Sequence, residues 1–419
     1  MEIDTALVDD AELPLAPSLS LSLAESATAQ WLTGHDGKSL SAAALFEGLC
    51  QRLLVEGMPL LRASCALPAM HPQIYARGLV WNKAEGAREI AREHGVTDTS
   101  AYYDSPVAVI HQGAAAVRRR LDVAEPQLDF PVVRELKEQG ATDYVAMPLR
   151  FTSGHVSFIS WACDAPGGFS TAALGLLWDL LPLIALRLEI ESAYGMTDDL
   201  LTTYLGHNAT RRVLAGTVHV GQGEVIRAAI WYCDLRGFTA MADRLPASEV
   251  IATLDAYFEC MARAVQGLGG EVLKFVGDAM LAIYEIPSGP VPPVDNAACR
   301  AFAAALAARE ALAGLNRTRA ERGEPALAAG IALHVGDVIY GNIGAADRLD
   351  FTVIGPAVNE VCRMEQLCAK LGHPVVTSQS FQEMACDPRL TSIGWHTLRG
   401  VAQARQIFAL PAVTATDYS

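Results

Sequence analysis

Apolar and polar positions divide the chain into two patterned stretches, the second sharper than the first. Within that second stretch, Ala228–Asp234 (AAIWYCD) reads as a strand. Residues 246–269, PASEVIATLDAYFECMARAVQGLG, carry apolar side chains at helical spacing and are closed by Gly269-Gly270. EVLKFVG and AMLAIYEI then form two strands joined tightly at Gly277-Asp278, a hairpin. The Ala-rich DNAACRAFAAALAAREALAGL predicts a helix capped by Asp295. A strand over Ala329–Val335, a glycine-punctuated turn through GDVIYGNIG, a strand over Phe351–Ile354 and a helix over Ala357–Leu371 complete the series. The order is β-α-β-β-α-β.

That order is ferredoxin-like, so residues 225–411 are expected to form an α+β domain with extra strands at its C-terminal end, and 412–419 a tail. The first stretch is less regular. Residues 1–28 are acidic, Ser/Ala/Leu-rich and unpatterned, the character of a mobile tail. Within 29–190, SLSAAALFEGLCQRLL has helical period, while Ala76–Asn82, Thr142–Arg150 and His155–Cys163 alternate as strands do. FTSGH suits a hairpin between the last two, and PGGFS leads into an apolar helix near Ser170. Strands enclosed by helices at both ends of a mixed α/β region resemble a GAF-type sensor domain. Residues 191–224, including LLTTYLGHNATRRVLAG, read as a helical linker. It either transmits rotation or separation between two protomers or serves as a plain spacer.

Composition narrows the classes. A chain of 419 residues with 51% hydrophobic and 19% charged content suits two globular domains with connecting segments. A formal net charge of -15 and a pI near 5.1 exclude the basic surface that nucleic acid requires. An anionic ligand must then be held by local cations or by metal. Nine cysteines without a C-x-x-C pair, and an acidic N-terminus unlike a signal peptide, predict reduced thiols and a cytoplasmic protein. The apolar segment 172–190 contains Asp179, Pro182 and Arg187, so a buried or dimer-forming helix is expected rather than a membrane span.

Asp234 ends one predicted strand, and Asp278 sits in the hairpin between two others. Singly, each has an ordinary explanation as a cap or a turn residue. Together on neighbouring strands, two carboxylates repel unless a hard cation lies between them. The segments W-Y-C-D-L-R-G-F-T, L-K-F-V-G-D-A-M-L-A, G-N-I-G-x-x-x-R-x-D-F-T-V-I-G and A-V-N-E-V-C-R-M-E occur in this order over ~140 residues. They closely resemble the catalytic domain of class III nucleotidyl cyclases, over Val225 to about Leu410. The resemblance implies an adenylate cyclase with two metal ions, Mg²⁺ or Mn²⁺, held by Asp234, Asp278 and the backbone of Leu235. It implies that Lys274 and Thr352 read adenine, that Asn359 orients the ribose and that Arg363 stabilises the transition state. The DLRGFT loop, with Phe238 and Thr239, would wrap the phosphates of ATP. The active sites would be composite, shared across a homodimer.

The sequence also departs from the family pattern. The second base-reading position, often Asp in the family, is Thr352, which marks a subgroup containing bicarbonate-responsive soluble adenylyl cyclases; bicarbonate is thus a candidate effector. Asp350 falls out of register and reads as a solvated turn acid. Arg399 of L-R-G stands where relatives have a triphosphate-binding lysine, keeping the charge in a planar fork. Pro356 replaces a common Asp, which the first turn of a helix tolerates. GDVIYGNIG holds the spacing of a P-loop opening, but Asn342-Ile343 replace its working residues. His334 reads as a strand residue, and Cys362 and Cys368 suit neither zinc nor a disulfide. A guanylate cyclase and a non-catalytic nucleotide-binding or dimerising module are the rival readings. The ligand of the first domain is unknown.

Overall fold

The computed structural model describes residues 26–34, 40–216, 219, 221, 223–287, 289, 296–345 and 347–411. Asp295, the expected helix cap, and most of both expected tails lie outside them. The chain divides into two compact units, Met1–Thr203 and Tyr204–Ser419.

In the first unit, helices α1 (Ala27–Thr33) and α2 (Ala42–Val55) precede the strands β1 (Leu60–Pro68), β2 (Ile74–Asn82) and β3 (Gly86–Glu93). Helices α3 (Ser100–Tyr103) and α4 (Pro106–His111), strand β4 (Val117–Arg120) and helix α5 (Pro131–Glu138) follow, then β5 (Asp143–Arg150) and β6 (Val156–Cys163). The six strands form one antiparallel sheet in the order β3-β2-β1-β6-β5-β4. Leu45, Phe46, Leu49 and Leu53 recur at helical spacing and bury one face of α2 in the core. The loop after β5 closes a hairpin, with the Phe151 N–H donating to the His155 carbonyl at 3.0 Å. Helix α6 (Thr171–Leu205) is, among the described residues, the one helix long and apolar enough to cross a membrane. Leu174, Leu177, Leu180, Leu181, Ile184 and Leu188 of this helix belong to the core of this unit. Further along, the Ser192 hydroxyl donates to the Pro68 carbonyl at 3.1 Å, and Asp199 pairs with Arg77 at 2.6 Å.

The second unit opens with α7 (His207–Leu214), β7 (Gly223–Leu235), α8 (Phe238–Ala242) and α9 (Ala247–Gly267). Next come β8 (Glu271–Val276), β9 (Ala279–Ile286), α10 (Ala297–Glu321), β10 (Ala329–Ala345) and β11 (Arg348–Ile354). Helix α11 (Pro356–Leu371), β12 (Val375–Ser378), α12 (Gln379–Ala385), β13 (Thr391–His396) and β14 (Arg405–Leu410) complete it. The sheet runs β13-β14-β12-β10-β7-β9-β8, with β11 paired to β10. Successive side chains of β7 and β10 point to opposite faces, so each strand feeds two cores. Trp231, Cys233, Leu333 and Val335 meet Tyr257, Met261 and Val265 of α9 and Phe302 of α10. Ile230, Ala332 and Val338 meet Val361, Met364 and Leu367 of α11. Alanines dominate the buried face of α10, at Ala298, Ala301, Ala304, Ala305 and Ala308. Asn296 caps that helix, its side chain accepting from the Cys299 N–H.

The expected turn through GDVIYGNIG is absent. β10 continues across it, paired with β7 as far as Gly341↔Gly223 and with β11 from Ile339↔Ile354 to Ala345↔Arg348. The glycines there serve close packing: a methyl group on Gly336 would lie 2.6 Å from the Ala357 Cβ of α11. Asp350 is accordingly a strand residue, opposite Ile343, rather than a turn acid.

Candidate active site

Asp234 lies near the end of β7, beside Ala279 of β9 and Gly330 of β10. Asp278 sits in the two-residue turn between β8 and β9, where Gly277 takes the left-handed conformation at φ +64°. Burial and the facing Asp278 carboxyl push the Asp234 acid up to about 6, against the opposing Leu235 N–H. Asp234 Oδ1 is buried and has no hydrogen-bond partner among the described residues. An orphaned carboxylate oxygen facing a second carboxylate is a donor set for a divalent cation.

A third acid, Glu365 of α11, is 6% exposed. Burial and then the charge of Asp234 push it up to about 7, with the nearby Arg236 guanidinium opposing. Glu365 Oε1 fills the space above Gly330, which a methyl group there would overlap. Arg236 Nη2 in turn donates to the His373 carbonyl at 2.9 Å. Gly237, at φ +74°, turns the chain into α8, where Phe238 is half-buried against the α9 core and Thr239 is exposed.

The other expected site residues fall in two further groups. Lys274 Nζ of β8 lies 3.7 Å from Asp350 Oδ2 of β11. Two residues along β11, Thr352 is buried, and its Oγ1 has no partner among the described residues. On α11, Asn359 is exposed and Arg363 half-buried, one turn apart on one face. The Arg363 guanidinium lies against Gly400: a methyl group at that glycine would be 3.4 Å from Nη2. Arg399 is the exposed neighbour in the Leu398–Val401 turn, closed by a 3.0 Å Val401 N–H to Leu398 carbonyl bond. His334 is a buried β10 residue whose Nδ1 sits 2.8 Å from Ser378 Oγ, a structural contact away from the two aspartates.

Residues 222–406 match the family model of the adenylate and guanylate cyclase catalytic domain. An adenylate cyclase of Anabaena cylindrica is 33% identical over 167 residues, 39% of this chain and 32% of that protein. The chain therefore spans about a third of the length of that curated relative. Among solved structures, the adenylyl cyclase CyaB from P. aeruginosa aligns at 24% identity with a TM-score of 0.41, over 46% of this chain and 98% of that one. The guanylyl cyclase Cya2 aligns at 28% identity with a TM-score of 0.39, over 47% and 97%.

Within the second unit, α11 separates the groups. Glu365 faces the aspartate pair, and Arg363 lies two residues earlier, about 200° around the helix. Arg363 is thus nearly opposite Glu365 on α11, and Asn359, six residues before Glu365, lies about 120° around the helix. Sequence reasoning gave no individual role to Glu365 or to Arg236, although Arg236 belongs to the DLRGFT loop and Glu365 ends the A-V-N-E-V-C-R-M-E motif. The available signal for Glu365 was an acid interrupting the buried series Val361, Met364, Leu367 and Cys368.

Proposed function

We propose that the protein is an adenylate cyclase, converting ATP to 3′,5′-cyclic AMP and pyrophosphate. The observation that carries this reading is Asp234 Oδ1, buried, without a partner among the described residues and facing Asp278, within the stretch that matches the cyclase family model. Two divalent ions held by Asp234, Asp278 and the Leu235 backbone would lower the pKa of the ribose 3′-hydroxyl and neutralise triphosphate charge. The 3′-oxygen attacks the α-phosphorus in line, its proton leaves to solvent, and the bond to pyrophosphate breaks. Arg363 and Arg399 stabilise the phosphoryl oxygens on which charge develops, and Asn359 fixes the ribose. The DLRGFT segment, with Phe238 and Thr239, covers the phosphates. Lys274 donates to adenine N1, and Thr352 Oγ1, which has no partner among the described residues, accepts from the 6-amino group. Guanine presents the opposite donors and acceptors at those atoms, so ATP is preferred.

The two faces of α11 support a homodimer in which the metal acids of one chain meet Asn359 and Arg363 of the other. The helix-enclosed antiparallel sheet of the first unit supports a GAF-like regulatory role for an unknown small ligand. Thr352 makes bicarbonate a second candidate effector, and the reduced-thiol reading favours a cytoplasmic location. Purified protein should be assayed with ATP and with GTP, each with Mg²⁺ and Mn²⁺. Cyclic AMP formed in excess over cyclic GMP is expected. Dominant cyclic GMP would establish the guanylate reading, and no product from either would leave a non-catalytic module.

A further inference from the structure

The first unit contains a cleft of about 350 Å³ bounded by the end of β1, the first turn of α2 and residues 191–199 of α6. Arg77 of β2 and Glu89 of β3 line it too, with Glu191, Asp198 and Asp199 from α6. Arg77 is already engaged, its Nη1 2.7 Å from Glu89 Oε1 and its Nη2 2.6 Å from Asp199 Oδ1. Glu191 pairs with Arg187 at 3.5 Å. Two arginines thus answer four acids, and the cleft keeps a net negative charge. Asp199 is 7% exposed, and its Oδ2 is buried with no hydrogen-bond partner among the described residues. A buried carboxylate oxygen in that state lacks a donor.

The floor of the cleft is also open. Glu191, Gly195 and Asp198 follow at spacings of four and three along α6, so they share one face of the helix. Glycine inside a helix is less stable than alanine, and a close neighbour is its usual justification. Gly195 has none: apart from its chain neighbours and the helix backbone, no atom lies within 4 Å of where its Cβ would stand. Leu67, Pro68 and Met196 add apolar wall. No three of the acids are grouped to hold a metal ion.

We infer that this cleft binds a small organic cation. An ammonium or guanidinium N–H donates to Asp199 Oδ2, and the carbon body lies over Gly195 along Leu67, Pro68 and Met196. An anion would meet the surplus acids and be repelled. The inference names a ligand class for the first unit, and it is read by binding alone, apart from the cyclase reading.

Calorimetric titration of the full chain with agmatine, which carries a guanidinium and a primary ammonium, tests this, with butyrate as the anionic control and thermal melts alongside. Agmatine should bind at a single site and butyrate should not. Asp199→Asn should weaken agmatine binding at least about tenfold, since a charged acceptor is lost. Gly195→Leu changes no charge and fills the floor; it should weaken binding at least about tenfold while melting at or above wild type. No agmatine binding by wild type at about 10 mM overturns the inference. Wild-type affinity in Asp199→Asn overturns it as well. So does affinity undiminished in Gly195→Leu, the result that general attraction to an acidic chain would give. Should Asp199→Asn fail to fold, the leucine variant decides.

Discussion

Asp234→Asn should make the metal-free protein more stable while abolishing turnover. The Asp234 carboxyl titrates near 6 in the fold against an ordinary 3.8, because burial and Asp278 disfavour its charge. The folded state therefore holds that proton more tightly than the unfolded chain does. Stability from this group is highest below pH ~4, falls as pH rises through the window from about 4 to 6, and the full penalty applies above it. Roughly two pKa units correspond to about 3 kcal/mol at full weight. Asp234 is half-exposed and shares its charge with Asp278, so about 1 kcal/mol is the realistic penalty. Asparagine has nearly the same shape and no charge, and should recover that amount at pH 7.5, a rise of ~2–4 °C in Tm. At pH 4 the two proteins should melt alike. Adding Mn²⁺ at pH 7.5 should reverse the order, stabilising wild type and leaving the variant little changed. Melting followed by circular dichroism in EDTA and in Mn²⁺, from pH 4 to 8, measures all of this. A variant less stable than wild type in EDTA at pH 7.5, or equally stabilised by Mn²⁺, would refute the assignment.

Lys274→Glu inverts a directional contact to the base and should lower ATP turnover ten- to a hundredfold, about 1–3 kcal/mol, with the fold intact; an unchanged ATP:GTP ratio sinks the base-reading role. Gly330→Ala would press on Glu365 and on the Cys368 Cβ at 2.9 Å, costing about 1–3 kcal/mol in a urea melt, and wild-type stability would show that α11 yields freely there. Insertions belong after Thr203, because Leu188, Ser192 and Asp199 are packed in the first unit. A series of one to four added residues should change cyclase activity with insert length if the helix transmits a signal, whereas equal specific activity throughout leaves a spacer.

The elements legible in the sequence were those whose side chains announce a buried face. AAIWYCD and AMLAIYEI are nearly continuous apolar runs, and they form the neighbouring strands β7 and β9. The Gly-Asp turn placed Asp278 at the right end of that pair. What stayed hidden had weaker local chemistry. β3, GAREIARE, is a largely exposed edge strand with no apolar alternation to read, and β4 is an arginine-rich strand of four residues. In the second half of β10, α11 comes close to Gly336 and the β11 backbone comes close to Gly344, so local propensity pointed to a turn where tertiary packing makes a strand. Motif order named Asp234, Asp278, Lys274, Thr352, Asn359, Arg363 and Arg399, but spacing could not say which of them share a site. Glu365 became visible only when the fold set it over Gly330, beside the aspartates. The Lys274–Asp350 contact likewise joins strands more than seventy residues apart, a distance no local pattern spans.

The central claim is a cyclase site completed across two chains, and subunit mixing tests it most directly. Asp234→Ala alone should be inactive, and Arg363→Ala alone should lose roughly 10²–10³ in rate, as expected for a removed charge-stabilising donor. In a mixed dimer one site carries both lesions and the other carries neither. Random exchange makes about half of all dimers mixed, each with one intact site of two, so the mixture should recover about a quarter of wild-type cyclic AMP formation. If the subunits demonstrably exchange and the mixture stays inactive, the shared site is wrong and the chemistry is completed within one chain.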